Sequence, residues 1–329
     1  MSDFPDVQLH IVTGKGGTGK STVAASLALA LASRGKTVLL CEVEGRQGIA
    51  QMFDVSPLPY EERLLAKATE HDHGNVYALA IDAEAALLEY LSMYYRLGRA
   101  GKALDRFGVI DFATTIAPGV RDVLLTGKVY EAAQRNSRNK GARRYDAIVL
   151  DAPPTGRIAQ FLNVNSELAG LAKVGPIKSQ ADTVMTLLRS PRTAVHLVTV
   201  LEEMPVQETI DGVSELRENR LPVGGVVVNL VRPQDLDDDA RATLLDGTVD
   251  QKALAKALGS AGIDATPELV ESLVAEGRDH AERRRLEDSQ RTLVEAIGVP
   301  TYELGQLAGG VDLGGLYELA GSLCEQGLA

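Results

Sequence analysis

QLHIVTGKGGTGKST, residues 8–22, places an apolar strand candidate (8–13) directly before a glycine-rich turn, and an alanine- and leucine-rich helix candidate (21–33) directly after it. Gly14, Lys15, Gly16, Gly17, Thr18, Gly19, Lys20, Ser21 and Thr22 satisfy the G-x-x-x-x-G-K-[ST] spacing in the strand, loop and helix setting that its chemistry needs. The glycines let successive backbone N–H groups turn inward around phosphates, and the helix N-terminus adds its dipole. Lys20 then meets the β and γ oxygens, and Ser21 offers its hydroxyl to Mg²⁺. The plainer alternative is a structural glycine-rich turn. Lys15 is the additional feature, because a second lysine so early in the loop cannot easily reach the same γ-phosphate as Lys20. It is suited to a neighbouring subunit's nucleotide.

Outward from this loop, Gly35 closes the helix and residues 37–43 (TVLLCEV) read as a buried parallel strand, completing one βαβ unit. Further strands are expected at 76–81, 145–150, 194–200, 225–229 and 300–304, with helices at 206–219 and 313–324. Strands alternating with helices predict an α/β fold, a doubly wound and mostly parallel sheet of the P-loop NTPase kind with helical subdomain insertions. The 329 residues read as a single domain, 1–329, with a helical subdomain over about 57–144 and 161–191 and an acidic helical insertion over about 233–295. Within the insertion, Arg283, Arg284 and Arg285 sit among Glu282, Glu287 and Asp288, which reads as a solvated helix face rather than a nucleic-acid patch.

Composition excludes other classes. Asp and Glu outnumber Lys and Arg 45 to 34, giving a formal net charge of −11 that repels phosphate backbones, so no nucleic-acid partner is expected. Two cysteines, Cys41 and Cys324, cannot build a thiolate metal site or a disulfide framework. No signal peptide or membrane-spanning run is visible, so the expectation is a cytoplasmic protein with no integral membrane segment. His71 and His73 read as solvated loop histidines, since spacing supplies no further metal ligands.

Other residues are placed to work beside the loop. Asp151 ends the 145–150 strand, where a carboxylate would orient the water shell of Mg²⁺; a simple strand-end turn is the alternative. The Pro153-Pro154-Thr155-Gly156 turn that follows would let the Gly156 N–H sense a γ-phosphate and act as a switch. Glu42 and Glu44 share a face by alternation at the end of the second strand; Glu44 is the choice to position the attacking water and Glu42 to join the Mg²⁺ shell, against a surface carboxylate pair. Asn229, ending a later strand, is suited to read the adenine edge or to cap a turn.

With these residues in place, the chain resembles the arsenite-transporting ATPase family, which includes the targeting factor for tail-anchored membrane proteins and belongs to the deviant Walker-A ATPases. Its actinobacterial branch of anion-transporting ATPases is the nearest match. The resemblance rests on Gly14 to Thr22, where Lys15 matches the signature lysine that crosses the family's dimer interface, and on D-A-P-P-T-G-R (151–157), close to the family pattern D-T-A-P-T-G-H. Asn229 matches the adenine-reading asparagine. The resemblance implies ATP and Mg²⁺ as cofactors, hydrolysis of ATP to ADP and phosphate, an ATP-dependent homodimer or a heterodimer with a paralogous subunit, and a client protein or ligand of unknown identity. Lys15, Lys20, Glu44 and Asp151 would then be the catalytic set. Val43-Glu44-Gly45-Arg46 departs from the family's D-P-A-H, making Glu44 a longer stand-in for an aspartate, and Arg157 replaces a histidine. Cysteines for zinc or arsenite are missing, so neither property carries over. Two rivals share the loop: a surface-positioning or partitioning ATPase, against which stand the acidic charge and the lack of a basic amphipathic tail, and a nucleotide-binding pseudo-ATPase subunit of a heterodimer.

Overall fold

The computed structural model describes residues 2–67, 74–95, 119–135, 142–171 and 176–329. In chain order the strands are β1 (Leu9–Gly14), β2 (Val38–Glu42), β3 (Arg63–Ala66), β4 (Val76–Ala80), β5 (Ala147–Asp151), β6 (Thr193–Thr199), β7 (Val223–Val231) and β8 (Thr301–Gly305). They lie side by side in one sheet, in the order β3-β4-β2-β5-β1-β6-β7-β8. Every pairing is parallel except β3 on β4. This is the expected α/β, doubly wound, mostly parallel sheet. The chain leaves β1 toward β2 and β4, returns through β5, and then builds outward on the other side through β6. The strand order therefore reverses around β1, and in such sheets ligands bind beyond the carboxyl ends of the strands at that reversal.

The first helix, α1 (Lys20–Ser33), is apolar all round, with Val23 to Ala32 buried throughout. A helix of that composition must be covered on every side. One side packs on the sheet residues Val12, Leu40 and Val149, and the other meets Leu316, Leu319, Ala320 and Leu323 of the last helix, α11 (Leu313–Gln326). Fully burying a side chain such as Leu27 or Leu31 stabilises the fold by about 1.5–3 kcal/mol. The opposite sheet face presents Leu9, Ile11, Leu39, Cys41 and Leu150 to a second apolar layer. That layer comes from α4 (Val120–Gln134), α5 (Thr155–Leu171), α6 (Pro176–Leu188) and α7 (Glu203–Glu218). Between these, α2 (Gly48–Met52) follows β2 and α3 (Ala83–Tyr95) follows β4.

Between β7 and β8 come α8 (Asp238–Asp246), α9 (Gln251–Ser260) and the 29-residue α10 (Pro267–Glu295). Each starts on a side-chain cap: Asp237 accepts from Ala240 N, Asp250 from Lys252 N and Ala253 N, and Thr266 from Leu269 N.

Three local readings need correction. The 283–288 stretch is not a wholly solvated helix face: Arg284 and Glu287 are buried, and Arg284 Nη1 donates to Glu287 Oε2 at 2.9 Å. β3 was not expected within the helical stretch 57–144. Four residues are too few to show alternation, and β3 forms because it pairs antiparallel with β4, whose edge would otherwise stay open. Thr155 and Gly156 do not belong to the expected Pro-Pro-Thr-Gly turn but form the first two residues of α5. His71 and His73 lie outside the described residues, as do parts of 57–144 and 161–191.

Candidate nucleotide site

β1 delivers the glycine-rich loop to the carboxyl edge of the sheet. At Gly14 a Cβ would stand 2.3 Å from the Val198 carbonyl oxygen of β6, so no larger residue fits where the strand opens into the loop. Gly19 has φ 88°, and a Cβ there would stand 2.3 Å from Asn229 Nδ2. Between them Thr18 is buried and its hydroxyl donates to the Lys15 carbonyl at 2.8 Å. Gly19 is also the N-cap of α1, which has no side-chain cap and no acidic residue in its first turn. The positive end of that helix is thus left to the loop.

Strand register gathers the carboxylates. Val12 of β1 is level with Asp151 of β5, and Asp151 with Glu42 of β2. Ser21 Oγ donates to Asp151 Oδ2 at 2.6 Å. Asp151 Oδ1 and Glu42 Oε2 are buried and have no partner among the described residues. Burial raises the Asp151 carboxyl to about 6; the Ser21 hydrogen bond and Lys20 oppose this, and the charges of Glu42 and Glu44 add to it. Lys20 is 7% exposed, and its Nζ lies 4.0 Å from Glu44 Oε2, which also faces Arg46 Nε at 3.7 Å. Lys20, Ser21, Glu42, Glu44 and Asp151 are therefore brought together, with three acidic groups around one hydroxyl and one ammonium.

The two loops flanking this cluster are tied to the frame. Thr13 Oγ1 donates to the Pro153 carbonyl at 2.7 Å, and Ala152 N donates to the Val12 carbonyl at 2.9 Å. Gln47, at φ 57°, holds Leu58 by both ends of its amide, donating to Leu58 O at 3.1 Å and accepting from Leu58 N at 2.6 Å. The first turn of α4 faces both loops. Arg121 Nη2 lies 3.5 Å from the Val43 carbonyl, and Asp122 lies 3.8 Å from Arg157 Nη2. Burial pushes the Asp122 carboxyl up, against Arg157 and Arg121.

Lys15 stands apart from Lys20. Its ammonium pairs with Glu208 Oε1 on α7, while Thr155 Oγ1 donates to the other oxygen, Oε2, at 3.2 Å. Asn229 is 4% exposed and its Nδ2 donates to the Thr18 carbonyl at 2.9 Å, so one of its functions is to brace the loop from β7. Gly16, Gly17 and Gly156 have nothing within 4 Å of an added Cβ, and Thr22 Oγ1 contacts Met52 Sδ at 3.7 Å. Sequence reasoning missed Glu208, Arg121 and Asp122. Glu208 sits mid-helix in a polar run with no local mark, and only the packing of α7 beside the loop reveals it. Cys41, on the interior strand β2, is buried in the second apolar layer with its thiol pushed up to about 12, which makes it a packing residue.

The family model for anion-transporting ATPases matches residues 7–191, from before the glycine-rich loop to the helix preceding β6. The chain belongs to the anion-transporting (ArsA) ATPase family. It is an ATPase, hydrolysing ATP to ADP and phosphate. ATPase BagA of Mycobacterium tuberculosis is 53% identical over 329 residues, spanning 99% of this chain and 95% of that relative. A protein of Halobacterium salinarum to which arsenical pump driving is ascribed is 27% identical over 240 residues, spanning 69% of this chain but 36% of that relative. An Aquifex aeolicus protein with the same ascription is 24% identical over 257 residues. Among the described residues no helix is long and apolar enough to cross a membrane, and no group of three or more His, Cys, Asp or Glu side chains forms a metal site.

Proposed function

We propose that the chain binds Mg-ATP at a dimer interface and uses hydrolysis to switch between conformations that act on a client in the cytoplasm, in a targeting, transport or chaperone-like role. The observation that carries the shared site is the divergence of the two loop lysines. Lys20 is enclosed with Ser21 and the carboxylates, whereas Lys15 reaches outward to Glu208 with 30% of its side chain exposed. Two ammonium groups pointing to different places serve two different phosphates.

Within one subunit, Lys20 takes the β and γ oxygens, with backbone N–H groups of Gly16, Gly17, Thr18, Gly19, Ser21 and Thr22 around the chain of phosphates. The residues fit a hard cation: an orphaned oxygen on Asp151, another on Glu42 and the Ser21 hydroxyl converge, and a positive ion would relieve the burial and like-charge repulsion acting on Asp151. Mg²⁺ held there by Ser21, with Asp151 and Glu42 orienting its shell, would neutralise charge on the phosphate oxygens. Glu44 must leave Lys20 when a phosphate takes its place, and its carboxylate is then free to orient the attacking water. Gly156 N–H at the start of α5 and Asn229 at the loop complete the γ-phosphate and adenine ends. The first turn of α4 contacts the segment after β2 and faces Arg157, so it is placed to carry movement of both loops into the helical layer.

ATP turnover recorded together with oligomeric mass tests this reading. Lys20→Ala should abolish turnover while the fold survives, and Lys15→Ala should remove both turnover and the ATP- and Mg²⁺-dependent dimer. Normal turnover in Lys20→Ala would sink the site; a Lys15→Ala variant that still dimerises and hydrolyses would sink the shared interface.

A further inference from the structure

Lys15 has one ammonium and two claims on it. In the chain it is held by Glu208, and under the shared-site reading, on which this inference rests, it must reach a second copy's nucleotide. One ammonium cannot do both. Glu208 is not a bystander on α7, because its second oxygen accepts from the hydroxyl of Thr155, the residue that opens α5 four positions after Asp151. A single carboxylate thus joins the early loop lysine to the loop that follows the Mg²⁺ ligand candidate.

We propose that Glu208 is a positioning residue, a latch that holds Lys15 within its own subunit and ties its release to Thr155 and the start of α5. When ATP draws residues 152–156 toward the γ-phosphate, Thr155 leaves Glu208, and the carboxylate loses the contact that orients it toward Lys15. Lys15 then crosses. The latch raises the protein concentration needed for productive pairing and so restrains hydrolysis by lone subunits. Both side chains are partly exposed, at 30% and 35%, so the pair is of the weak, salt-screened kind. Such pairs are worth about a 1.4- to five-fold bias. Because each copy must release its own lysine, the factor enters twice, giving about a two- to twenty-five-fold effect on the dimer constant.

The experiment is turnover per subunit against protein concentration, with dimer mass measured in ATP and Mg²⁺, for wild type, Glu208→Gln and Glu208→Asp at low and at moderate salt. Glu208→Gln should lower the concentration at half-maximal turnover by about two- to twenty-five-fold, and Glu208→Asp, which keeps the charge, should lie between it and wild type. Moderate salt should move wild type toward Glu208→Gln and leave that variant nearly unmoved, which a merely structural carboxylate would not do. If Glu208→Gln fails to fold, the salt shift of wild type and the position of Glu208→Asp still read the latch. A folded Glu208→Gln with an unchanged or raised half-point overturns the latch alone, provided wild-type turnover depends on concentration and vanishes in Lys15→Ala. Turnover independent of concentration in wild type overturns the shared-site reading and the latch with it.

Discussion

Helix α1 and the helices α8, α9 and α10 that join β7 to β8, here called the arm, start in opposite ways, and the contrast separates binding from folding. In the arm, Asp237, Asp250 and Thr266 close the first turns with their own side chains, Asp238, Asp239 and Glu268 add favourable charge, and Gly247 at φ 69° ends α8. These helices satisfy themselves locally. α1 has none of this: its N-cap is a left-handed glycine, and its first turn offers N–H groups beside a lysine and a hydroxyl. Its stability comes from complete burial between sheet and α11, which allows the helix end to stay open for an anion.

The largest effect that could break this contrast is at the carboxylates facing α1. Asp151→Asn keeps an acceptor for Ser21 but removes the charge, and turnover should fall by roughly 100-fold. The same variant should be more stable. The folded carboxyl sits near 6, above its unfolded value, so the charged form costs stability that is absent below about pH 4 and grows through about pH 6, by up to about 3 kcal/mol. Thermal unfolding at pH 7.5 without nucleotide should show the rise; a drop would mean that the charge is satisfied.

Acid should next find the sheet rather than the arm. His196 Nδ1 accepts from Gly225 N at 3.2 Å, so its Nε2–H must donate to His10 Nδ1 at 3.1 Å. Both imidazoles are fully buried, and burial lowers both, His196 to about 4. The unfolded chain therefore binds protons that the folded chain refuses between about pH 6.5 and 4. Stability is complete above that window and falls through it, by about 3 kcal/mol for His196. Urea midpoints measured from pH 7.5 to 4.5 should decline accordingly, and His10→Gln should flatten the slope.

Smaller still is Gly19→Ala, which sets a Cβ against Asn229 Nδ2 at φ 88° and should cost about 1–3 kcal/mol while weakening ATP binding. Thr266→Ala should cost about 1 kcal/mol and leave turnover unchanged, because the cap it removes serves only α10. Equal losses of binding in both variants would erase the distinction between the two kinds of helix start.

Much of the frame was legible because its signals are local. The run at 8–22 reads as strand, loop and helix from composition and spacing, and seven of the strands lie at apolar runs bounded by turn residues. β3 escaped, since four residues carry no period and their pairing is made by β4. In the candidate site, Lys20, Ser21 and Asp151 were readable from motif position, and register then set Glu42 beside Asp151. Glu208 was not readable, for a carboxylate within a polar helix face looks the same whether it meets water or Lys15.

By itself, then, the amino-acid sequence determined the family, the parallel sheet and the glycine-rich loop between β1 and α1, because each depends on residues adjacent in the chain. Only the tertiary structure decided which carboxyl oxygens stay unpartnered, that Asn229 braces Thr18 from 211 residues away, and that Lys15 ends on Glu208 across 193. Those outcomes follow from strand order and helix packing, which bring together groups whose separation along the chain carries no trace of their contact.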